Sequence, residues 1–200
     1  MFTIGITGGT GAGKTSALRA LTSLGALTID CDAVYHRLLK QNTQLKGDLA
    51  ARFEGVLVHG EIERKRLGEI VFNDPKALSD LNAITHKHIS AEIQRQIEQW
   101  EAQGGTVAAI DAIALFESGR AKTCDVTVGV TAPEEIRISR IMKMDGITRE
   151  NAELRVRAQK PASYYRENCD YMLEGNYDAP EEFEKECRGF FEKLLSKHNV

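Results

Sequence analysis

"GITGGTGAGKTSAL", residues 5–18, places five glycines in nine positions behind a short apolar run and ahead of Lys14 and Thr15. Glycine in an ordered element costs about 0.5–1 kcal/mol relative to alanine, so such a cluster needs positive φ or the close approach of another group. The spacing supplies that reason. Gly8, four residues, then Gly13, Lys14 and Thr15 match G-x-x-x-x-G-K-[ST]. In that pattern loop amides converge on phosphates, the lysine reaches the β/γ-phosphates and the hydroxyl binds Mg²⁺. Phe2 to Ile6 reads as a buried strand, and Ser16 to Leu24 as a helix whose N-terminus faces the phosphates. A dinucleotide fingerprint G-x-G-x-x-G fails, because from Gly9 it ends on Lys14 and from Gly11 on Ser16.

Four more strands are expected downstream. Ala26 to Ile29 ends in Asp30-Cys31-Asp32, Thr106 to Ile110 ends in Asp111, Val126 to Val130 follows Asp125, and Tyr171 to Leu173 supplies the fifth. Strands alternating with helices imply an α/β fold: a P-loop NTPase-like, parallel five-stranded sheet flanked by helices. Thr131 with Glu134 reads as a capping box opening a helix to about Met144. Asp178 with Glu181 reads as another, with Phe183, Cys187, Phe190 and Leu194 on one face.

Two segments exceed what connections need. A parallel crossover takes about a dozen residues, yet residues 33–105 separate the second and third strands. They read as helices over 33–52, 64–72 and 75–101, broken by Gly55, Gly60 and Asn73-Asp74-Pro75. The second segment, 137–160, holds seven basic and three acidic side chains, a net of +4 in a chain of −3. Beside a phosphate loop this reads as a lid that closes arginines over ATP. The domain layout expected is thus a single kinase domain, with its core in 1–32, 106–136 and 161–200, a helical substrate-binding insertion at 33–105 and a lid at 137–160.

At 200 residues, net charge −3 and pI near 6.0, the chain suits one α/β domain and carries no general electrostatic attraction for nucleic acid or anionic membranes. Cys31, Cys124, Cys169 and Cys187 are widely spaced with no C-x-x-C, so they read as buried thiols of a reducing compartment rather than a zinc site or disulfide framework. With no basic leader and no apolar run near 18 residues, a soluble cytoplasmic protein is expected, a monomer with oligomerisation left open.

Ligands of open α/β sheets sit beyond the carboxyl ends of strands, where Asp30, Asp32 and Asp111 fall. Asp111 reads as a Walker B carboxylate supporting Mg²⁺. Asp30 and Asp32 share a face if the chain stays extended, with Asp32 the better placed to accept a proton from an attacking hydroxyl and Asp30 read as a structural or metal-orienting group. A phosphate acceptor would need no base, which separates alcohol kinases from nucleoside monophosphate kinases.

With these residues in view, the chain resembles the dephospho-coenzyme A kinases nearly end to end. The matching pieces are "TGGTGAGKTS", "IDCDAVYHRLL", "IERKRLGEIVFND", "LNAITHKHI", "IDAIALFESG", "RIMKMDGITRENAELRVRAQ" and "CDYMLEGN". The resemblance implies ATP-dependent phosphorylation of the ribose 3′-hydroxyl of dephospho-CoA, the last step of CoA synthesis, with Mg²⁺ as cofactor. It implies that Gly11, Ala12, Gly13, Lys14, Thr15 and Ser16 bind ATP phosphates and that Asp32 is the base. It also puts Arg140 and Arg155 in the lid, and His36, Arg64, His86, Phe116 and Glu117 on the acceptor side. Lys14 and Arg140 join Asp32 as catalytic groups, and Thr15 joins Asp111 at the metal.

Several positions depart from the family. Lys87 stands where proline is usual, Ile113 and Ala114 replace proline and leucine, Met144 replaces a lid arginine, and Gly175 stands at an expected asparagine. The alternatives are a nucleoside monophosphate kinase, with Arg37, Arg52, Arg64 and Arg66 as candidate acceptor clamps, and a nucleotide-binding switch without phosphotransfer.

Overall fold

The computed structural model describes residues 1–177 and 179–200, so the cap expected at Asp178 lies outside the described residues. Two compact units emerge: Met1–Ile29 with Trp100–Val200, and Asp30–Gln99. The second unit starts and ends a few residues before the 33–105 read from the sequence. Asp30 caps the first helix of this unit, while Trp100 turns to the sheet, its indole N–H donating to the Val107 carbonyl at 3.1 Å.

The five-stranded sheet contains β1 (Phe2–Thr7), β2 (Leu27–Asp30), β5 (Val107–Asp111), β6 (Val126–Thr131) and β7 (Tyr171–Glu174), ordered β2-β5-β1-β6-β7. The β1–β5, β1–β6 and β6–β7 pairs are parallel. β1 and β6 are buried almost throughout, as parallel strands covered on both faces require. On one side, α1 (Lys14–Ser23) and α9 (Pro180–Lys197) pack with the sheet around Ile4, Leu21, Val128, Phe183 and Phe191. On α9 the fully buried aromatic beside Phe183 is Phe191; Phe190 is only half-buried, at 5.6 Å from the Tyr171 ring.

The positive segment folds as α6 (Glu134–Asp145) and α7 (Arg149–Arg157), joined through a small core of Ile138, Ile141, Ala152 and Val156. Thr131 does not cap α6. It remains in β6 opposite Glu174, and Pro133 occupies the cap position without a side-chain bond. Strand pairing therefore overrides the capping pattern, while Glu134 and Glu135 still favour the positive end of the helix. α8 (Ala162–Asn168) leads into β7.

In the other unit, the single helix expected over 33–52 is two: α2 (Cys31–Gln41) and α3 (Thr43–Arg52), with α4 (Arg64–Phe72) and α5 (Pro75–Ala102) following. Asn42 breaks the run, extended at φ −90°, ψ 105°, and caps α3 by accepting from Leu45 N–H at 2.8 Å. β3 (Leu57–Val58) and β4 (Glu61–Ile62) form a hairpin turning at His59 and Gly60, both at positive φ. Two-residue strands leave too little alternation to detect in sequence. No helix among the described residues is long and apolar enough to cross a membrane.

Candidate active site

The strand order reverses about β1, whose partners β5 and β6 feed opposite sides of the sheet, so a crevice is expected at its carboxyl end. The glycine-rich loop fills that position. Gly8, Gly11 and Gly13 all adopt positive φ, and Gly13 caps α1 in a left-handed conformation. A cleft of about 540 Å³ opens over the loop, lined by Gly11, Gly13, Lys14, Thr15 and Ser16 together with Asp111, Arg140, Met144 and Phe183. Lys14 Nζ donates to the Gly8 carbonyl at 3.0 Å.

Arg140 projects from α6 to the loop. Its guanidinium donates to the carbonyls of Gly11 (3.1 Å) and Tyr177 (2.7 Å). The Tyr177 and Phe183 rings stack 5.8 Å apart, making an aromatic wall beside this cation. Gly175 has a local cause: a Cβ there would lie 2.4 Å from the Ala12 carbonyl oxygen, too close for asparagine. The Met144 departure lies in the same cleft, largely exposed, and Lys87 continues the long α5 without interruption.

The donor set suits Mg²⁺. Thr15 at the start of α1 and Asp111 at the end of β5 present hard oxygens to one cleft, as does the site of an ion that takes its other positions from phosphate and water. Among the described residues, no three His, Cys, Asp or Glu side chains gather as a protein-built metal cage.

Arg155 takes a different direction from Arg140: it is half-exposed and ion-paired with Asp145, and does not line the cleft. Arg137 and Gln159 instead reach the loop through Thr10. Phe116 packs edge-on against Tyr164 at 6.1 Å, and the Tyr164 hydroxyl donates to Glu117 at 3.2 Å.

In the helical unit, Asp30 and Asp32 do not share an extended face. Asp30 Oδ1 accepts from the backbone N–H of Asp32 (2.8 Å) and Ala33 (3.0 Å), so it is a cap rather than a partner carboxylate. Asp32 is exposed in the first turn of α2, one turn ahead of Tyr35 and His36. Burial raises the Tyr35 pKa, and the nearby Arg64 charge opposes the rise. His86 is half-buried on α5; its neighbour His88 is buried, with Nε2 2.7 Å from an Asp48 oxygen. Arg37 is bonded to Glu92 (3.0 Å) and Arg52 to Asp80 (2.7 Å), which ties two of the four candidate phosphate clamps to carboxylates.

Tyr35, Tyr164 and Gln159 carry no individual functional signal in the sequence. Their proximity to Arg64, Glu117 and Thr10 depends on chain segments far apart in sequence, although Gln159 closes the quoted lid stretch.

The family model for dephospho-CoA kinase matches residues 2–181. A dephospho-CoA kinase of Thermobifida fusca is 33% identical over 196 residues, covering 97% of this chain and 96% of the relative. Among solved structures, TT1252 from Thermus thermophilus aligns at TM-score 0.80 and 30% identity, covering 96% of this chain and 97% of that one. Dephospho-CoA kinase from Campylobacter jejuni aligns at TM-score 0.70 and 26% identity, covering 99% and 98%.

Proposed function

The chain belongs to the dephospho-CoA kinase family, and from that premise we propose how its residues carry ATP-dependent phosphorylation of the dephospho-CoA ribose 3′-hydroxyl. The observation that carries the reading is the convergence of Lys14, Thr15, Asp111 and Arg140 on one cleft at the carboxyl ends of β1 and β5. The loop from Gly11 to Ser16 holds the ATP phosphates through backbone N–H groups at the α1 N-terminus. Lys14 and Arg140 offset charge on the β/γ-phosphates.

When bound, Mg²⁺ neutralises charge on the phosphate oxygens, with Thr15 and Asp111 as its protein-side support. Asp32 takes the proton from the 3′-hydroxyl as the new O–P bond forms and the bond from the γ-phosphorus to the bridging oxygen breaks, releasing ADP. His36, Arg64, His86, Phe116 and Glu117 serve the acceptor. Arg155 joins Arg140 over the ATP phosphates only after leaving Asp145, a change its exposed position permits. The enzyme acts in the cytoplasm on these two small substrates, ATP and dephospho-CoA.

ADP release measured with dephospho-CoA, AMP, CMP or no acceptor tests the assignment, and dephospho-CoA alone should stimulate it strongly. Asp32→Asn keeps the shape and removes the basicity, so turnover should fall about 10²–10⁴-fold with ATP affinity unchanged. Retention of more than half the wild-type rate would exclude Asp32 as the base.

A further inference from the structure

The tip of the phosphate loop is bound by two side chains from the α6–α7 hairpin. Arg137 Nε donates to the Thr10 carbonyl at 3.0 Å, and Arg137 Nη2 to Gln159 Oε1 at 2.5 Å. The same Gln159 oxygen accepts from Thr10 N–H at 2.9 Å, while Gln159 Nε2 donates to Thr10 Oγ1 at 2.7 Å. Four bonds thus link three residues, engaging the Thr10 N–H, carbonyl and hydroxyl together.

The surrounding packing makes this more than a surface contact. Arg137 is only 9% exposed, and burial lowers its pKa from the usual guanidinium value. A Cβ on Gly9 would come within 2.2 Å of Arg137 Nη2 and 2.7 Å of Gln159 Oε1, so the loop is shaped to admit both groups. Gln159 directly follows the Ala158 cap of α7, and α7 rests on α6 through Ala152 and Val156. The positions of the loop and of the far end of the hairpin are therefore coupled.

We infer that Arg137 and Gln159 are positioning residues that hold Thr10, and through it the phosphate-binding amides, in the geometry ATP requires. Neither needs to touch the reacting atoms. Donors already oriented at a phosphate site spare the ligand the cost of ordering them, so releasing the tip weakens nucleotide binding before it affects the acceptor. The inference rests on the kinase reading above for its activity measurements, but direct ATP binding tests it separately.

The test combines calorimetric ATP binding, steady-state kinetics in both substrates and thermal unfolding for Gln159→Ala, Gln159→Glu, Thr10→Val and the Thr10→Val/Gln159→Ala double variant. Gln159→Ala should raise the ATP Kd and KM about tenfold, leave KM for dephospho-CoA unchanged and remain folded at assay temperature. Gln159→Glu should recover to within about threefold of wild type, because its carboxylate can accept from Arg137, Thr10 N–H and the Thr10 hydroxyl. The double variant should be no worse than the weaker single one, as expected for residues in one network.

Unchanged ATP affinity, equal shifts for both substrates, failure of Glu to rescue, or strictly additive losses would each overturn the inference. If Gln159→Ala fails to fold, Gln159→Glu and Thr10→Val decide by the same comparison of ATP with acceptor. Absence of dephospho-CoA-dependent ADP release in the wild-type protein would overturn the kinase reading instead, while the ATP Kd series would still judge the positioning role.

Discussion

Lys14 carries a compact charge on a flexible stem, so it can exchange the Gly8 carbonyl, 3.0 Å away, for the β/γ-phosphates. Lys14→Ala should abolish phosphoryl transfer while leaving the circular dichroism spectrum unchanged, because it removes the charge and one bond to Gly8 but leaves most of the backbone cradle intact. Near-normal turnover would remove this loop from the reaction. Lys14, Thr15 and Asp111 were legible in sequence because a local spacing or a strand end identifies each of them. Arg155 was not legible in the same way: a positive segment reveals its charge but not whether an arginine turns to the cleft, as Arg140 does, or to Asp145.

At the scale of elements, local capping chemistry competes with pairing and with other caps. The reading of Asp30 and Asp32 as paired carboxylates required an extended chain, whereas α2 begins at Cys31 and commits Asp30 to its first-turn amides. Asp30→Ala should therefore cost about 1 kcal/mol and lower the melting temperature by about 2–4 °C, with most of the loss restored in Asp30→Asn. Calorimetry of the two variants measures this, and equal losses would dismiss the cap. Thr131 shows the opposite outcome, a capping pattern cancelled by a strand that continues opposite Glu174. The break at Asn42 is likewise a cap that a continuous helical pattern concealed.

For the whole molecule, the four cysteines measure how tightly the fold closes. Cys31 and Cys187 are buried and Cys124 and Cys169 half-buried, so the expectation of four buried thiols holds for two of them. Burial raises the pKa of Cys124 and Cys169 to about 11 and of Cys187 to about 12. Since a raised folded-state pKa favours the protonated thiol, the stability present below the ordinary value near 9 should decline as pH rises toward 11. Alkylation at pH 8 should accordingly be slow in the native protein and accelerate across its urea transition; rapid labelling of all four native thiols would contradict this. By itself the sequence determined the five strands of the α/β sheet, the phosphate loop and the two added segments, because apolar runs, glycine spacing and charge density are properties of neighbouring residues. Only the tertiary structure decided that Tyr164 meets Glu117 and that Gln159 holds Thr10, since each outcome rests on hydrogen-bond geometry that folding creates between segments distant in sequence.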